Sequence, residues 1–235
     1  MKLIRCKGRI LDISNPVAMG ILNVTPDSFY SNSRQKGIDS ILHQVEKMLT
    51  EGAKILDIGG MSSRPGAKIV TEEEELMRVI PAINAIYQEF PRTIISVDTI
   101  RAKVAQESVL HGASMINDIS AGSLDTELLE TVAKLDVPYV LMHMNGKPID
   151  MQEKTDYENV QLEILDFLID KVGKLRRLGI KDIIIDVGFG FGKTVEQNYK
   201  LLKSMHQFKV LDLPILAGIS RKSMIYNLLF LIHRH

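Results

Sequence analysis

The sequence predicts a parallel α/β fold, and a (β/α)8 barrel in particular. Three observations support this prediction. Short and nearly continuous apolar runs recur along the chain, as in strands buried on both faces of a parallel sheet. Stripes of apolar residues at helical spacing separate these runs. Polar residues follow each run at its carboxyl end, which is the edge where parallel α/β folds bind their ligands.

Seven apolar runs predict the strands. In chain order they are VAMGILNV, KILDIG, TIISVD, SMINDI, VPYVLMH, DIIIDVG and PILAGIS. Thr71 with Glu74 and Thr194 with Gln197 have the spacing of capping boxes at helix starts, and Pro81 predicts a kink in the first of these helices. The repeat leaves two architectures open, an open doubly wound sheet and a barrel. The length of 235 residues favours the barrel, which takes about 250 residues in full.

The composition is that of a single globular domain. Of the residues, 45% are hydrophobic and 25% charged, and no change in composition marks a linker, so 1–235 is predicted to be one domain. The first strand-like stretch, LIRCKGRILDI, predicts a short hairpin that covers the bottom of the barrel. Because the formal net charge is zero, bulk electrostatics indicates neither a nucleic acid nor a membrane as partner.

Cysteine usage and hydropathy indicate a cytoplasmic location. Cys6 is the single cysteine, so an internal disulfide cannot form. Charges scattered through the N-terminal residues argue against a signal peptide. No apolar run approaches the roughly 18 residues that a membrane span needs.

The polar residues after the strands predict a ligand site. They are Asn23, Asp57, Asp98, Asn117, Asp118, His143, Asp186, Ser220, Arg221 and Lys222. A strand end is solvated in any case, so one or two such residues would mean little. Polar residues after all seven strands favour a site at this edge of the barrel.

Two further stretches suit an anion. DIGGMSSRPGA joins flexible glycines, hydroxyls and Arg64, although it also fits a simple connector. SRKS follows the last strand and opens a helix, although a charge run is usually a solvated surface. DVGFGFGKT matches neither the phosphate-loop nor the dinucleotide fingerprint, because Val187 stands where the phosphate loop needs glycine. The histidines lack the spacing of metal ligands, and no Ser/His/Asp triad can be assigned.

The residues by themselves predict a barrel enzyme that acts on a phosphorylated heterocycle. Asp98, Asn117 and Asp186 offer acceptors to a planar, donor-rich edge. Three cations offer charge to a phosphate or a carboxylate, namely Arg64, Arg221 and Lys222.

Six motifs, in order, resemble those of the dihydropteroate synthase family. They are MGILNVTPDSF, DIGGMSSRPG, SVDT, INDIS, DVGFGFGKT and GISRKS. The resemblance extends from residue 3 to about residue 226. It implies a (β/α)8 barrel and a transferase of folate biosynthesis that condenses 6-hydroxymethyl-7,8-dihydropterin diphosphate with p-aminobenzoate. The products would be 7,8-dihydropteroate and pyrophosphate, and sulfonamides would compete at the aminobenzoate site.

The resemblance also implies roles for individual residues. Asp98, Asn117 and Asp186 match positions that bind the pterin, and Lys222 matches a lysine that reaches both substrates. Asn23 matches a residue beside Mg²⁺ and the diphosphate, so Mg²⁺ is the implied cofactor. Two loops match mobile loops of the family, the first with Thr25, Asp27, Ser28 and Phe29 and the second with Ser62, Ser63, Arg64 and Pro65. Phe191, Pro65 and Ser220 match positions around the aminobenzoate, and Lys222, Arg64 and Asp98 are the implied catalytic residues.

The sequence departs from the family most clearly at its end. Met61 and Val187 are mild substitutions, but the family's eighth strand, with an Arg-x-His motif, and its last helix have no counterpart here. We therefore expect a marginally stable, weakly active product, and the family's homodimer is in doubt. Two alternatives stay open: a chain that binds pterin without turning it over, and a related pterin-binding methyltransferase domain.

Overall fold

Seven parallel strands and a separate two-stranded hairpin organise the chain. The structure is a computed structural model that describes residues 3–24, 34–61, 70–146, 151, 154–220, 222 and 224–225. The hairpin consists of β1 (Leu3–Cys6) and β2 (Arg9–Asp12). The parallel sheet consists of β3 (Ala18–Asn23), β4 (Ala53–Gly59), β5 (Ile94–Asp98), β6 (Met115–Asp118), β7 (Tyr139–Met142), β8 (Ile183–Asp186) and β9 (Ile215–Leu216).

Helices connect the strands in the order that the sequence predicted. They are α1 (Arg34–Thr50), α2 (Glu72–Glu89), α3 (Ala102–Leu110), α4 (Leu128–Leu135), α5 (Val160–Arg177) and α6 (Val195–Lys203), and a 3-10 helix follows (Met205–Leu211). Each strand pairs with the next one along the chain, so the described sheet runs from β3 at one edge to β9 at the other. This sheet order confirms the α/β barrel class and the N-terminal hairpin.

Sequence-predicted caps begin two of the helices. Thr194 and Gln197 form the full capping box of α6, with Gln197 N donating to Thr194 Oγ1 at 3.2 Å and Thr194 N donating to Gln197 Oε1 at 2.8 Å. At α2 the Thr71 hydroxyl accepts a hydrogen bond from Glu74 N at 3.2 Å. Pro81 lies inside α2, which continues to Glu89, so the proline does not end this helix.

The two faces of the sheet build two separate cores. Outward side chains such as Leu56, Ile95 and Ile185 pack under the helices in the larger core. Inward side chains at the start of the strands form a second core with the hairpin. Its buried members are Ile4, Cys6 and Leu11 from the hairpin and Ile55, Ile94, Met115, Val140 and Ile184 from the sheet. The hairpin therefore closes the bottom of the barrel, as the sequence predicted.

Polar contacts hold the hairpin in this place. Arg5 forms an ion pair with Asp182, with 3.1 Å between Nη2 and Oδ2. Arg9 Nη1 donates to the carbonyl oxygen of Thr93 at 2.5 Å. Both acceptors lie at the starts of strands, so the contacts fix the hairpin to the end of the barrel opposite the predicted site. No helix within the described residues is long and apolar enough to cross a membrane.

Helix α5 offers a matched test of the outer core. Leu168 is 0% exposed and packs in the larger core, whereas Leu162 on the same helix is 55% exposed. We expect Leu168→Ala to lower the free energy of unfolding by about 2–5 kcal/mol, because it leaves a cavity. Leu162→Ala should change it by at most about 0.5 kcal/mol. Urea titrations of both variants measure these values, and equal losses would contradict the described packing of α5.

Candidate active site

The inward face of the sheet changes from apolar to polar two residues beyond the bottom core. Successive inward positions on a strand are two residues apart, so each polar side chain stands directly above an apolar one. The polar side chains of this layer are Asp57 on β4, Ser96 on β5, Asn117 on β6 and Asp186 on β8. Strand register places Gly59, Asp98 and Asn117 side by side, and Asn23 lies opposite Gly59.

Asp57 holds the amide of Asn117. Asn117 Nδ2 donates to Asp57 Oδ2 at 2.8 Å, and the Asp57 side chain is buried. Burial raises the pKa of Asp57, and the nearby Ser96 and Asn117 side chains offset this in part. The sequence predicted that Asp57 ends its strand. That placement was wrong, because β4 continues to Gly59 and Asp57 lies within the strand.

Asp98 lies among other acids. Burial raises the pKa of Asp98 well above its usual range, and the charges of Asp57, Glu75 and Asp118 raise it further. Lys222 acts in the opposite direction. Two neighbouring carboxyl groups in a buried site resist ionising together. A charge on Asp57 therefore disfavours ionisation of Asp98.

Asp118 belongs to the outer layer and not to the site. The fully buried carboxylate accepts hydrogen bonds from Tyr139 Oη at 2.6 Å, Ser120 N at 2.7 Å and Gly122 N at 2.6 Å. Because Asn117 points inward, Asp118 must point to the helices. The sequence predicted Asn117 and Asp118 together as polar residues at a strand end. In the structure, their side chains point to opposite faces of the sheet.

The loop after β8 passes very close to neighbouring strand ends. Gly188 has φ +68°, and a Cβ there would stand 1.9 Å from the carbonyl oxygen of His143. Gly190 has φ +78°, and its Cβ would stand 3.2 Å from Lys222 Cδ. Only glycine meets both demands, a left-handed backbone and no side chain. The Gly188 amide also donates to Asp186 Oδ1 at 2.8 Å, so the loop orients the carboxylate that precedes it.

Lys222 connects the acidic layer with an aromatic ring. Its Nζ lies 4.1 Å from the centroid of the Phe191 ring, which is cation–π geometry. Burial lowers the pKa of Lys222, whereas Asp186 and Asp98 raise it. The segment around Lys222 is held by α6, because Tyr199 Oη donates to the carbonyl oxygen of Met224 at 2.6 Å.

The structure brings together most of the predicted site residues that it describes. Asp98, Asn117, Asp186, Lys222 and Phe191 converge at the carboxyl ends of the strands. Asn23 is exposed at the end of β3. Ser220 is exposed beyond β9, so the prediction of a strand that continues to Ser220 was wrong, because β9 ends at Leu216. The remaining predicted residues lie outside the described residues: Thr25, Asp27, Ser28, Phe29, Ser62, Ser63, Arg64, Pro65 and Arg221.

Sequence reasoning missed three residues that support the site. Ser96 lies in the polar layer, Lys193 is buried in the loop after β8, and Glu75 is buried on α2. Glu75 accepts a hydrogen bond from Thr99 Oγ1 at 2.6 Å and pairs with Arg101, which fixes the loop after β5. Ser96 could have been predicted as a site residue, because it is a polar residue inside the apolar run TIISVD. Nothing in the sequence distinguishes Glu75 from the other three glutamates of the first α2 turn.

The described residues offer one neutral oxygen, on Asn23, at the position where the resemblance implies Mg²⁺. They contain no group of three or more His, Cys, Asp or Glu side chains that could hold a metal. The Asn23 amide oxygen lies beside Gly59, at 3.7 Å from where a Cβ on that glycine would stand. A single neutral oxygen suits Mg²⁺, which usually keeps several waters and binds substrate phosphates.

Comparison with known proteins agrees with this geometry. Residues 19–234 match the family described as pterin binding enzyme. The dihydropteroate synthase of Haemophilus influenzae is 48% identical over 219 residues, which cover 92% of this chain and 79% of that protein. The Escherichia coli dihydropteroate synthase is 44% identical over 231 residues, which cover 97% of this chain and 81% of that protein. The chain belongs to the pterin-binding enzyme family and, within it, to the dihydropteroate synthases.

Solved structures show the same fold. The Yersinia pestis dihydropteroate synthase, in a sulfonamide drug complex, superposes with a TM-score of 0.89 and 41% identity, over 97% of this chain and 83% of that one. The Xanthomonas albilineans enzyme in complex with 7,8-dihydropteroate superposes with a TM-score of 0.83 and 37% identity, over 97% of this chain and 81% of that one. The chain is therefore similar to enzymes whose structures contain the ligands that the sequence resemblance implied.

The buried acids predict a pH dependence of stability. Since the folded state raises the pKa of Asp98, folded protein binds more protons than unfolded protein above the unfolded pKa, and stability falls as pH rises through the folded pKa. Asp98→Asn removes this contribution. We expect its melting temperature, relative to the unsubstituted protein, to increase between pH 5 and pH 8. The exposed Asp170→Asn on α5 serves as control. A difference for Asp98→Asn that does not change with pH would contradict the assignment.

Proposed function

We propose that this chain catalyses the dihydropteroate synthase reaction, with the described inward residues as its substrate site. The observation that carries the proposal is the position of Lys222. Its Nζ lies 4.1 Å from the centroid of the Phe191 ring, and its charge interacts with the carboxyl groups of Asp186 and Asp98. A site with an acceptor-rich half and a cationic, aromatic half suits a pterin beside an aromatic amine that carries a carboxylate.

The acceptor-rich half suits the pterin ring. Asp186 offers a carboxylate to a planar edge of N–H donors, as in charge-assisted bidentate pairs. Asn117 Nδ2 donates to Asp57, and the Asn117 oxygen and its second N–H would bind the pterin. Asp98 stands next to Asn117 in register and completes this half.

The cationic and aromatic half suits p-aminobenzoate. The Phe191 ring offers a face for stacking, and Lys222 offers a charge close to it. Ser220, on the same segment as Lys222, is exposed at the rim of the site. By family resemblance, Pro65 would add to this half.

The reaction breaks the bond between the pterin methylene carbon and the diphosphate oxygen. The nitrogen lone pair of p-aminobenzoate forms the new C–N bond, the C–O electron pair leaves with the diphosphate, and the amine proton passes to solvent or to the leaving group. Positive charge that develops on the methylene is stabilised by the neighbouring carboxylates. No enzyme nucleophile is required, so the chain acts by binding and orienting two substrates.

The leaving diphosphate gains negative charge, which a cation can stabilise. Asn23 would hold Mg²⁺ together with waters and diphosphate oxygens, and a bound Mg²⁺ supplies neutralisation of the leaving group. By family resemblance, Arg64 of the second loop would lie near the leaving group. A homodimer, a cytoplasmic location and inhibition by sulfonamides remain predictions from the sequence and the family.

Pyrophosphate release tests the proposed function. The protein is incubated with Mg²⁺ and 6-hydroxymethyl-7,8-dihydropterin diphosphate, with and without p-aminobenzoate. We expect release that depends on both substrates, together with formation of 7,8-dihydropteroate. Pterin binding without release would support a binding-only chain. Methyl transfer from a methylated folate, without pyrophosphate release, would support a methyltransferase domain.

Substitution of Lys222 tests the site itself. Lys222→Met keeps the length of the side chain but removes the charge beside Phe191, so we expect kcat/KM to fall about 100- to 1,000-fold, as for other groups that stabilise charge in a reacting complex. Lys200→Met, at an exposed position on α6, is the matched control and should leave kcat/KM unchanged. Equal activity of the two variants would exclude Lys222 from the site.

A further inference from the structure

Lys193 carries a buried ammonium group inside the loop that follows β8. The residue is only 4% exposed. Its Nζ donates to the carbonyl oxygens of Gly188 and Phe191, at 2.9 Å each, and lies 3.1 Å from His143 Nδ1. The carbonyl oxygen of His143 lies somewhat farther away, at 3.4 Å. A protonated lysine has three donors and no acceptor, so the three short contacts use all of them.

His143 is built to accept from this ammonium. Burial and, to a smaller extent, the charge of Lys193 together lower the pKa of His143 to about 3, so the imidazole is neutral near pH 7. A neutral ring that accepts at Nδ1 carries its proton on Nε2. The ring also packs edge-on against Phe167 of α5, with 4.9 Å between centroids. His143 is therefore a fixed point at the end of β7 to which the loop is attached.

The loop has further attachments that leave its aromatic residue little freedom. Phe191 N donates to the carbonyl oxygen of Gly188 at 3.1 Å. Gly190 N donates to Oδ1 of the buried Asn198 at 2.8 Å, and Tyr157 Oη donates to the carbonyl oxygen of Gly192 at 3.0 Å. The Lys193 ammonium lies at the centre of this arrangement, where it satisfies carbonyl oxygens that point inward.

We infer that Lys193 is a positioning residue: its ammonium fixes the loop of residues 187–193 against His143 and so places the Phe191 ring beside Lys222. The inference rests on the proposed function for its substrate, since Phe191 is the wall proposed for p-aminobenzoate. Lys193 reaches its loop partners through Nζ, so it acts on the ligand through Phe191.

Three charged or titratable groups surround Lys193: Asp186 on β8, Lys222 after β9 and His143 after β7. The pKa of Lys193 is lowered to about 7, mainly by burial and also by the charge of Lys222, while the charge of Asp186 acts in the opposite direction. A neutral amine has two N–H donors and cannot serve three acceptors. Measurements that concern the ammonium are therefore best made at pH 6.

Hydrogen exchange tests the positioning role without any assay of activity. Lys193→Met removes the charge and the donors but keeps most of the volume, and Lys200→Met on the exposed side of α6 is the matched control. At pH 6 we expect the Phe191 and Gly190 amides to exchange about tenfold faster in Lys193→Met, the effect of losing one hydrogen bond from a charged donor. The Ile185 amide, which donates to the carbonyl oxygen of Pro214, should keep its exchange rate. Unchanged exchange at Phe191 and Gly190 would overturn the inference.

A measurement on the unsubstituted protein covers the case in which Lys193→Met does not fold. With ¹⁵N at lysine Nζ, a buried ammonium with three partners gives a slowly exchanging NMR signal at pH 6. We expect such a signal for Lys193, assigned through its side-chain carbons. If Lys193 exchanges as fast as the surface lysines, the inference is wrong.

Steady-state kinetics separates the inference from the proposed function. We expect Lys193→Met to raise the KM for p-aminobenzoate about tenfold, with less than about a threefold change in the KM for the pterin diphosphate. Lys193→Arg, which retains a charge, should recover part of this loss. Equal changes in both KM values would indicate general damage and contradict the role assigned to Phe191. If the unsubstituted protein releases no pyrophosphate, the proposed function fails, and the exchange and NMR results still decide the role of Lys193.

Discussion

The site depends on one constraint of strand geometry, which is that inward side chains follow each other at intervals of two residues. At the start of each central strand the inward residue is apolar and packs on the hairpin, as Ile55, Ile94 and Ile184 do. The next inward residue is polar, as in Asp57, Ser96 and Asp186. An apolar layer therefore lies directly beneath a polar layer. The acids of the polar layer are buried, although they lie close to the open end of the barrel.

Burial of several acids together disfavours their charged forms, and neighbouring groups offset this effect in part. Burial raises the pKa values of Asp57, Asp98 and Asp186. Lys222 offsets the shift at both Asp98 and Asp186. A ligand with N–H donors would satisfy the same carboxylates, so the electrostatic stress in the free protein favours ligand binding. Two buried acids outside the inward layer, Asp118 and Glu75, instead receive hydrogen bonds from neighbouring side chains.

The prediction of the fold succeeded because long apolar runs, helical stripes and capping residues are local signals. Thr194 with Gln197 marked the start of α6 correctly, and the alternation of segments marked a parallel sheet. The limits of strands were less predictable. Asp57 was predicted to end its strand because a polar residue usually ends an apolar run. In the structure, β4 continues past Asp57 to Gly59. Hydrogen bonds to neighbouring strands override that local signal.

The site was predictable to the extent that it consists of residues at the ends of strands. The sequence by itself determined the order of strands and helices, the edge where polar residues collect, and the motifs that relate the chain to its family. Only the tertiary structure decided which polar residues face the inside of the barrel. Asn117 and Asp118 are adjacent in sequence and point to opposite faces, and Lys193 acquires its role from acceptors on His143, 50 residues away along the chain. Such contacts join distant segments, so no local pattern could have revealed them.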